Sequence, residues 1–389
     1  MRIAMIGSKG VPAGMGGVER HVEALAVQLV DRGHDVTVYT RPWYTGVAAW
    51  SERTVRGVRT VALPSLATKH ADAISHTLLA TIHAMRARCD VYHFHGVGPA
   101  LWSILPRCFR PRARVIVTFH CVDRRHAKWG RFARTILGLG EWVSCVAPHH
   151  TIAVSETLAA YCGDRYRRAV ACIPNGVAEM PAVAPPEAAR ILAAWGLASR
   201  QYFLVVSRLV AHKGIATTIA AFRKLREEYP EHRTMRLVIV GDAAFTPEHA
   251  QELHVLAGGD PMIQFLGAQY GAALTVLYRS CAAFIHASRS EGLPIVILEA
   301  AAAGAVPVCS DIPEHREVVA RIGGILFRVG DVHDLVVKLA VLLASQRSLP
   351  RIGDRIRSAV LRTYHWDQIG AATDALLRAS PPSFRFAHG

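Results

Sequence analysis

The sequence lacks the cysteine and aspartate patterns that usually hold metal ions. None of its eight cysteines forms a C-x2-C pair, which excludes the common zinc-site and thioredoxin signatures. Most of the cysteines lie in apolar surroundings and are predicted to be buried, reduced thiols. No D-x-D, G-x-x-x-x-G-K-[ST], G-x-S-x-G or H-E-x-x-H motif is present. We therefore expect no metal, no cofactor held by a P-loop and no nucleophile elbow.

Long hydrophobic runs are missing as well. The apolar stretch 294–309 is interrupted by Glu299, and the stretch 336–344 contains Lys338 and is too short to span a bilayer. The N-terminus reaches Gly7 after only four apolar residues, which predicts a buried first strand and not a secretory signal. These features predict a cytoplasmic protein without a membrane span.

The chain of 389 residues is 51% hydrophobic and 19% charged, which is typical of globular protein and long enough for two domains. Short Val/Ile-rich runs alternate with amphipathic helical patterns, so each domain is predicted to be an α/β, doubly wound parallel sheet covered on both faces. The predicted strands are 2–6, 35–40, 58–63, 91–93, 114–119, 151–154 and 170–173, and then 202–206, 236–240, 263–266, 282–286, 306–309 and 325–327.

A Pro-rich, non-periodic stretch at 178–186 divides the two alternating patterns and is predicted to be a linker. We therefore expect an N-terminal domain over 1–180, a C-terminal domain over 181–364, and a final segment 365–389 whose helix starts at Trp366. Helices of the second domain are expected near 214–229, 247–258, 271–280, 294–303, 331–344 and 350–363. Ligands bind such sheets at the carboxyl ends of the strands, so functional residues are sought just after them.

The segment Ser288–Glu299 carries the strongest chemical signal. It follows a predicted strand and opens a helix, with Pro294 suited to the first turn and Gly304 to the C-terminal cap. Free amides at a helix start, here near Gly292 and Leu293, suit an anion. Glu291 precedes the helix, and Glu299 lies in an otherwise apolar run where an unpaired charge is costly. Both carboxylates can accept hydrogen bonds from sugar hydroxyls.

Arg208 and Lys213 follow the first predicted strand of the second domain. A guanidinium and an ammonium at that edge can neutralise a diphosphate leaving group without a metal. Gly241 ends the next strand, at the same edge of the sheet, and is therefore a further candidate for ligand binding.

The first domain offers a glycine-rich loop after its first strand, and Gly16 and Gly17 let the backbone approach a ligand closely. His120 ends the strand 114–119 at a carboxyl edge, whereas His93 and His95 are interpreted as packing or acceptor-side residues.

These motifs resemble those of the retaining glycosyltransferases of family 4. Glu291 and Glu299 match the family's E-x7-E spacing, and Arg208 and Lys213 are similar to its R-x4-K pair. The paired glycines and His120 resemble the family's sugar-phosphate and donor-sugar contacts. The segment Asp123–Trp129 resembles one found in bacterial rhamnosyltransferase-like members. The resemblance covers nearly the whole chain.

The resemblance implies a GT-B fold, in which two Rossmann-like domains face a cleft. It further implies transfer of a sugar from a nucleotide diphosphate donor to a hydroxyl acceptor, with retention of configuration and no metal. The first glutamate would contact the donor sugar, and the second the ribose. The C-terminal helix would cross back to the first domain. Polysaccharide biosynthesis with a lipid-linked acceptor is the expected role. The alternatives are an NAD(P)-dependent oxidoreductase, suggested by the first glycine loop, and a catalytically inactive sugar-nucleotide-binding protein.

The net charge of +15 is unevenly distributed. Residues 1–190 hold 24 Lys/Arg against 13 Asp/Glu, and the stretch from Arg107 to Arg134 alone contains nine basic residues. If the chain continues there as a helix, one face would carry five cations beside Trp129 and Phe132; the five are Arg124, Arg125, Lys128, Arg131 and Arg134. Such a face suits the inner surface of an anionic membrane or a lipid phosphate, although a merely solvated face is the alternative. No nucleic-acid-binding motif accompanies it, so no nucleic-acid partner is expected.

Overall fold

The computed structural model describes residues 1–14, 16–66, 68, 71–125, 130–243 and 247–379, apart from the side chains at positions 125, 132 and 247. The chain forms two compact units. Unit 1 runs from Met1 to Gly176 and also takes in the segment that begins at Trp366, and unit 2 runs from Val177 to His365.

Unit 1 contains an eight-stranded sheet in the order β3-β4-β2-β1-β5-β6-β7-β8. Its strands are β1 (Arg2–Ile6), β2 (Asp35–Thr40), β3 (Glu52–Val55), β4 (Val58–Ala62), β5 (Val91–His95), β6 (Arg114–Phe119), β7 (His150–Ala153) and β8 (Ala171–Cys172). All neighbouring strands are parallel except β3, which pairs with β4 in the antiparallel sense. The register places Ile3 beside Val36 on one side and beside Val91 on the other.

The helices of unit 1 that precede β8 in the chain are α1 (Gly17–Asp31), α2 (Pro42–Thr45), α3 (Ala71–Arg86), α4 (Val97–Ala100), α5 (Ile104–Phe109), α6 (Arg131–Val146) and α7 (Glu156–Tyr166), with 3-10 turns at Leu101–Ser103 and Asp123–Arg125. Helix α1 buries four apolar residues that recur at helical spacing, Val22, Leu25, Ala26 and Leu29. Full burial of each larger side chain is worth roughly 1.5–3 kcal/mol, so this stripe fixes the helix against the sheet.

Unit 2 contains a six-stranded, fully parallel sheet in the order β11-β10-β9-β12-β13-β14. Its strands are β9 (Tyr202–Val206), β10 (Arg236–Val240), β11 (Ile263–Phe265), β12 (Ala283–His286), β13 (Pro307–Ser310) and β14 (Ile325–Phe327). Its helices are α8 (Pro185–Ala194), α9 (Ile215–Glu228), α10 (Pro247–Ala257), α11 (Gly271–Ser280), α12 (Ile295–Ala302), α13 (Pro313–Ile322), α14 (Val332–Ala344) and α15 (Leu349–Tyr364), with 3-10 turns at Ala211–Lys213, Pro230–His232 and Gln346–Ser348.

The last helix, α16 (Trp366–Arg378), belongs to unit 1 and packs on α1. Asp374 Oδ1 lies 2.7 Å from His34 Nε2, and Asp367 Oδ1 lies 2.5 Å from Arg32 Nη2. At Gly370 an added Cβ would lie 2.8 Å from the Cβ of Gln28, so the two helices approach closely where the side chain is absent.

The prediction of two α/β units with parallel sheets is confirmed, and most strand bounds agree within two residues. Strand β3 and helices α8 and α13 are among the elements that were missed. Strand β3 is mostly exposed and charged, and it lacks the apolar alternation by which strands were identified. Helix α8 begins at Pro185 inside the predicted linker, because a proline at the first helical positions opens a helix as readily as it marks a loop.

The eight cysteines are free thiols, and five of them are buried. Across the described residues, every helix is too short or too polar to cross a membrane.

Candidate active site

The predicted phosphate and sugar residues meet at one point of the unit 2 sheet. Strand order reverses between β9 and β12, which pair directly, with Phe203 beside Ala283. Such a switch point leaves a crevice at the carboxyl ends of the two strands, where open α/β sheets bind ligands. The loop after β9 carries Arg208 and Lys213, and the loop after β12 carries Glu291.

Lys213 and Glu291 form an ion pair between these two loops. Lys213 Nζ lies 2.5 Å from Glu291 Oε1, and both side chains are 11% exposed. His286, at the end of β12, places Nε2 3.0 Å from the same carboxylate oxygen, and Ser288 Oγ lies 3.2 Å from that imidazole nitrogen. Glu291 is therefore held from two sides before any ligand binds.

The charge state of Glu291 follows from these contacts. Burial alone would raise the pKa of Glu291, but Lys213 and His286 together hold it well below its usual 4.5. Burial lowers the pKa of His286, with Glu291 opposing the shift, and burial lowers the pKa of the neighbouring His315 to about 3. At neutral pH the cluster thus contains a carboxylate, an ammonium and two neutral imidazoles.

Close backbone packing shapes the loops that carry the cations. Gly214, at φ +66°, has Ala287 O only 2.1 Å from the position of an added Cβ, and Gly241, at φ +137°, has Ser207 O at 1.9 Å. Larger residues would push apart the loops after β9, β10 and β12. Arg208 lies in the chain between Ser207 and Gly214, and its side chain is exposed. The next residue, Leu209, donates its backbone N–H to Asp242 O at 2.9 Å, which joins the loops after β9 and β10.

Helix α12 starts beside this cluster. Gly292 and Leu293 are buried, Pro294 is the residue that precedes the helix, and Gly304 follows its end at φ +83°. Glu299 lies in the helix and is partly buried, with the Tyr278 hydroxyl 3.4 Å from its Oε2. Apart from Glu299, which lies within α12, the predicted residues of unit 2 therefore follow the ends of β9, β10 and β12.

In unit 1 the glycine-rich loop after β1 also lies at a switch point, between β1 and β5. Gly16 adopts φ +107°, and an added Cβ there would lie 2.0 Å from Glu19 Oε2. Gly17 is exposed and begins α1. Glu19 is buried and accepts a hydrogen bond from Lys9 N at 3.2 Å, which ties the loop to the helix.

His120 follows β6 and lies in a cluster of buried histidines. His95 Nδ1 is 3.3 Å from His120 Nε2, and the ring of His21, from α1, contacts both rings at centroid distances of 5.5 and 4.8 Å. His93 packs against His95 and places Nε2 2.7 Å from Thr118 Oγ1. His21 Nδ1 is 2.9 Å from Asn175 Oδ1.

These imidazoles are neutral at pH 7. Burial lowers the pKa of His21 to about 4 although Asn175 opposes the shift, and burial with the neighbouring imidazoles holds the pKa values of His95 and His120 well below 6.5. Sequence reasoning missed His21. The only available signal was its place in the first turns of the helix that follows the glycine-rich loop.

Among the residues that the structure describes, two groups of side chains have ligand atoms close enough together to hold a metal ion. His21, His95 and His120 form one, and His286, Glu291 and His315 form the other, each with its ligand atoms within 4.8 Å of one another. The sequence predicted no metal ligands, because neither group shows a recognisable spacing along the chain.

The prediction of one exposed cationic face for the 107–134 stretch is wrong for Arg124. Arg124 does not belong to an exposed helical face: its Nε lies 2.9 Å from Glu141 Oε2, a fully buried carboxylate, and its Nη2 donates to the Tyr161 hydroxyl at 2.7 Å. The desolvated Glu141 charge requires such a partner. Arg131 and Arg134 are exposed at the start of α6. Lys128 and Trp129 lie outside the described residues, as do the side chains of Arg125 and Phe132.

Both halves of the chain match glycosyltransferase family models. Residues 15–179 match the family model described as Glycosyltransferase Family 4, and residues 191–359 match the one described as Glycosyl transferases group 1. Glycogen synthase of Mycobacterium tuberculosis is 28% identical, over 96% of this chain and 93% of its own. Phosphatidyl-myo-inositol mannosyltransferase of Mycolicibacterium smegmatis is also 28% identical, over 95% and 92%.

Solved structures show the same fold. Sucrose-phosphate synthase from Thermosynechococcus elongatus superposes with a TM-score of 0.81 at 20% identity, covering 97% of this chain and 98% of its own. Anabaena HepE in complex with UDP-glucose superposes with a TM-score of 0.76 at 17% identity, covering 97% and 98%.

Proposed function

Because the chain belongs to the glycosyltransferases of the GT-B type, we propose that it transfers a sugar from a nucleotide diphosphate sugar to a hydroxyl acceptor, with retention of anomeric configuration. The observation that carries the proposal is the Lys213–Glu291 pair at the β9/β12 switch point. It sets a cation for a diphosphate beside a carboxylate for a sugar, in the crevice where this kind of sheet binds ligands.

The leaving group determines the role of the cations. As the bond between the anomeric carbon and the diphosphate oxygen breaks, negative charge grows on that oxygen. Lys213, the exposed Arg208 and the amides at the start of α12 are the groups that we assign to this charge, without a metal. Lys213 is already oriented by Glu291, so little reorganisation is needed when the donor binds.

We assign the other predicted residues to the sugar, the ribose, the base and the acceptor. Glu291 accepts hydrogen bonds from the donor sugar, Glu299 holds the ribose, and Gly241 leaves room for the base. The acceptor hydroxyl forms the new bond to the anomeric carbon, and its proton passes to an oxygen of the departing diphosphate. Gly16, Gly17 and His120 of unit 1 are assigned to the sugar and acceptor.

The acceptor that we favour is a lipid-linked saccharide used in polysaccharide synthesis at the cytoplasmic face of a membrane. The cationic excess of the first 190 residues supports this, and so does similarity to a mannosyltransferase whose name specifies phosphatidyl-myo-inositol. The oxidoreductase alternative is not favoured, because both family models describe glycosyl transfer.

The experiment that tests the proposal pairs binding with turnover. Thermal-shift titrations with UDP, GDP, ADP and dTDP identify the base, and the matching sugar donors are then assayed for transfer in EDTA. The Arg208→Ala/Lys213→Ala double variant is the control, because it should lose the diphosphate contribution. Stabilisation by NAD(P) in place of every nucleotide diphosphate would overturn the proposal. Binding of donors without transfer to any acceptor would favour an inactive binding protein.

A further inference from the structure

The histidine cluster of unit 1 has more nitrogen atoms than hydrogen-bond partners. His21 Nε2 and His95 Nε2 are buried and have no hydrogen-bond partner among the described residues. The three side chains His21, His95 and His120 come from α1, β5 and the loop after β6, and they are 2%, 2% and 7% exposed. An unsatisfied buried nitrogen is costly, and two of these three rings carry a nitrogen that packing within the cluster leaves without a partner.

The spacing of these nitrogens fits a tetrahedral metal ion. A zinc–nitrogen bond of about 2.0–2.1 Å with tetrahedral angles places two ligand nitrogens about 3.3 Å apart. His95 Nδ1 and His120 Nε2 are 3.3 Å apart, and the His21 ligand atom lies within 4.8 Å of both. Movement of the His21 ring toward the other two rings would complete three positions of a tetrahedron.

The contact behind His21 is of the kind that supports a metal ligand. Its Nδ1 lies 2.9 Å from Asn175 Oδ1, which accepts the ring N–H and leaves the lone pair on Nε2. Ligating histidines usually donate their second ring N–H to an oxygen in this way, which fixes the tautomer and raises the basicity of the ligand.

The second metal-compatible group differs from the first in its charge. In the group of His286, Glu291 and His315, the carboxylate is already paired with Lys213 at 2.5 Å. A cation entering there would have to displace the ammonium, whereas the unit 1 cluster contains only neutral imidazoles.

We propose that His21, His95 and His120 form a binding site for a zinc-type transition-metal ion, with a water or anion at the fourth position. All-nitrogen ligation favours Zn²⁺, Co²⁺ or Ni²⁺ over Mg²⁺ and Ca²⁺, which require oxygen ligands. The effect of the ion rests on the proposed function, which assigns His120 to the transferred sugar. The ion inhibits transfer, because a bound His120 nitrogen is no longer available to that sugar.

Binding is tested on the full chain without any affinity tag. Zn²⁺ is titrated calorimetrically, and Co²⁺ is used as a spectroscopic probe, because tetrahedral Co²⁺ absorbs far more strongly than hexaaqua Co²⁺. One ion per chain and an intense visible band are expected for the wild type. His21→Ala should lower the Zn²⁺ affinity at least a hundredfold, and His286→Ala should leave it unchanged.

Two further variants keep the test decisive if His21→Ala fails to fold. Asn175→Ala leaves all three ligands in place and should weaken Zn²⁺ about tenfold or more. His249→Ala removes an imidazole outside both clusters and should have no effect. The absence of a tetrahedral Co²⁺ band in the wild type, or equal affinities across all four variants, overturns the site.

The inhibitory effect is measured separately, with the donor identified by the thermal-shift panel. Zn²⁺ should inhibit wild-type transfer at the concentrations that saturate the calorimetric site, and EDTA should restore the rate. Undiminished transfer by the fully Zn²⁺-loaded protein overturns the inhibition. Metal binding without transfer from any donor would leave the site standing and refute the proposed function.

Discussion

Lys213 Nζ lies 2.5 Å from Glu291 Oε1, and this ion pair joins two loops separated by 78 positions in the chain. Both loops emerge from neighbouring parallel strands, so the sheet topology brings them together. The pair links the expected phosphate contact to the expected sugar contact. A change in either residue should therefore affect both stability and catalysis. A change at Arg208, which is exposed, should affect catalysis alone.

Arg208→Ala and Lys213→Ala are expected to differ in one respect. Each should lose about 2–4 kcal/mol of transition-state stabilisation, the scale for removing one preorganised donor, seen as a fall in kcat/KM in EDTA. Lys213→Ala should also lower the free energy of unfolding by about 1–3 kcal/mol, because Glu291 keeps only His286. Arg208 is exposed, so its variant should unfold like the wild type.

Lys224→Ala is the matched control, since it breaks an exposed ion pair with Glu228 in the same unit. It should change neither kcat/KM nor the free energy of unfolding appreciably. Wild-type rates for both active-site variants, or a strict requirement for added divalent metal, would refute the metal-free neutralisation of the leaving group.

Glu291 and Glu299 should affect different ligands. Glu299→Gln is expected to weaken the free nucleotide diphosphate and the intact donor alike, because the ribose is common to both. Glu291→Gln should spare the free nucleotide diphosphate while weakening the donor and turnover. Calorimetric titration of both ligands against both variants measures the four affinities. Equal losses in all four would show that the two carboxylates do not divide sugar from ribose.

The low pKa of Glu291 predicts a pH-dependent contribution to stability. Its folded pKa is held well below the ordinary 4.5, so the pair stabilises the folded state above pH 4.5 and loses this contribution as the pH falls below it. Glu291→Gln lacks the ionisable group. Its stability should lie below that of the wild type at pH 7, and the difference should shrink between pH 4.5 and pH 3.

Urea unfolding of the wild type and Glu291→Gln at intervals from pH 7 to pH 3 measures this difference. Glu228→Gln, in the exposed pair with Lys224, is the control and should show little change with pH. A difference between wild type and Glu291→Gln that stays constant down to pH 3 would mean that Glu291 is not held ionised by its neighbours.

The sequence predicted correctly the features that depend mainly on one physical signal. Apolar runs located nearly every strand, and because parallel strands end at one edge, Lys213 and Glu291 could be placed at the same edge. It did not reveal that they touch, since that depends on the strand order across the sheet. Strand β3 was missed because exposed, charged strands lack alternation. His21 was missed because a lone histidine in a helix carries no distinguishing pattern until the fold adds His95 and His120.

Membrane association should depend on an exposed face of α6. Arg131, Arg134, Leu139 and Trp142 are exposed there, which combines cations with apolar anchors as interfacial helices do. We expect reversible binding to phosphatidylglycerol vesicles that weakens at high salt, because charges near an anionic surface contribute about 1 kcal/mol each. Arg124 must be left intact in any test, since it compensates buried Glu141 and its loss would destabilise unit 1.

Sedimentation with phosphatidylglycerol vesicles at low and high salt measures the binding. The double variant Arg131→Gln/Arg134→Gln should bind roughly thirtyfold more weakly, which corresponds to two cations at about 1 kcal/mol each. Arg351→Gln/Arg355→Gln makes the same change in net charge on exposed positions of α15 in unit 2 and should bind like the wild type. If the wild type stays in the supernatant at low salt, the membrane proposal fails. If both double variants lose binding equally, only net charge matters, and the α6 face is an ordinary solvated surface.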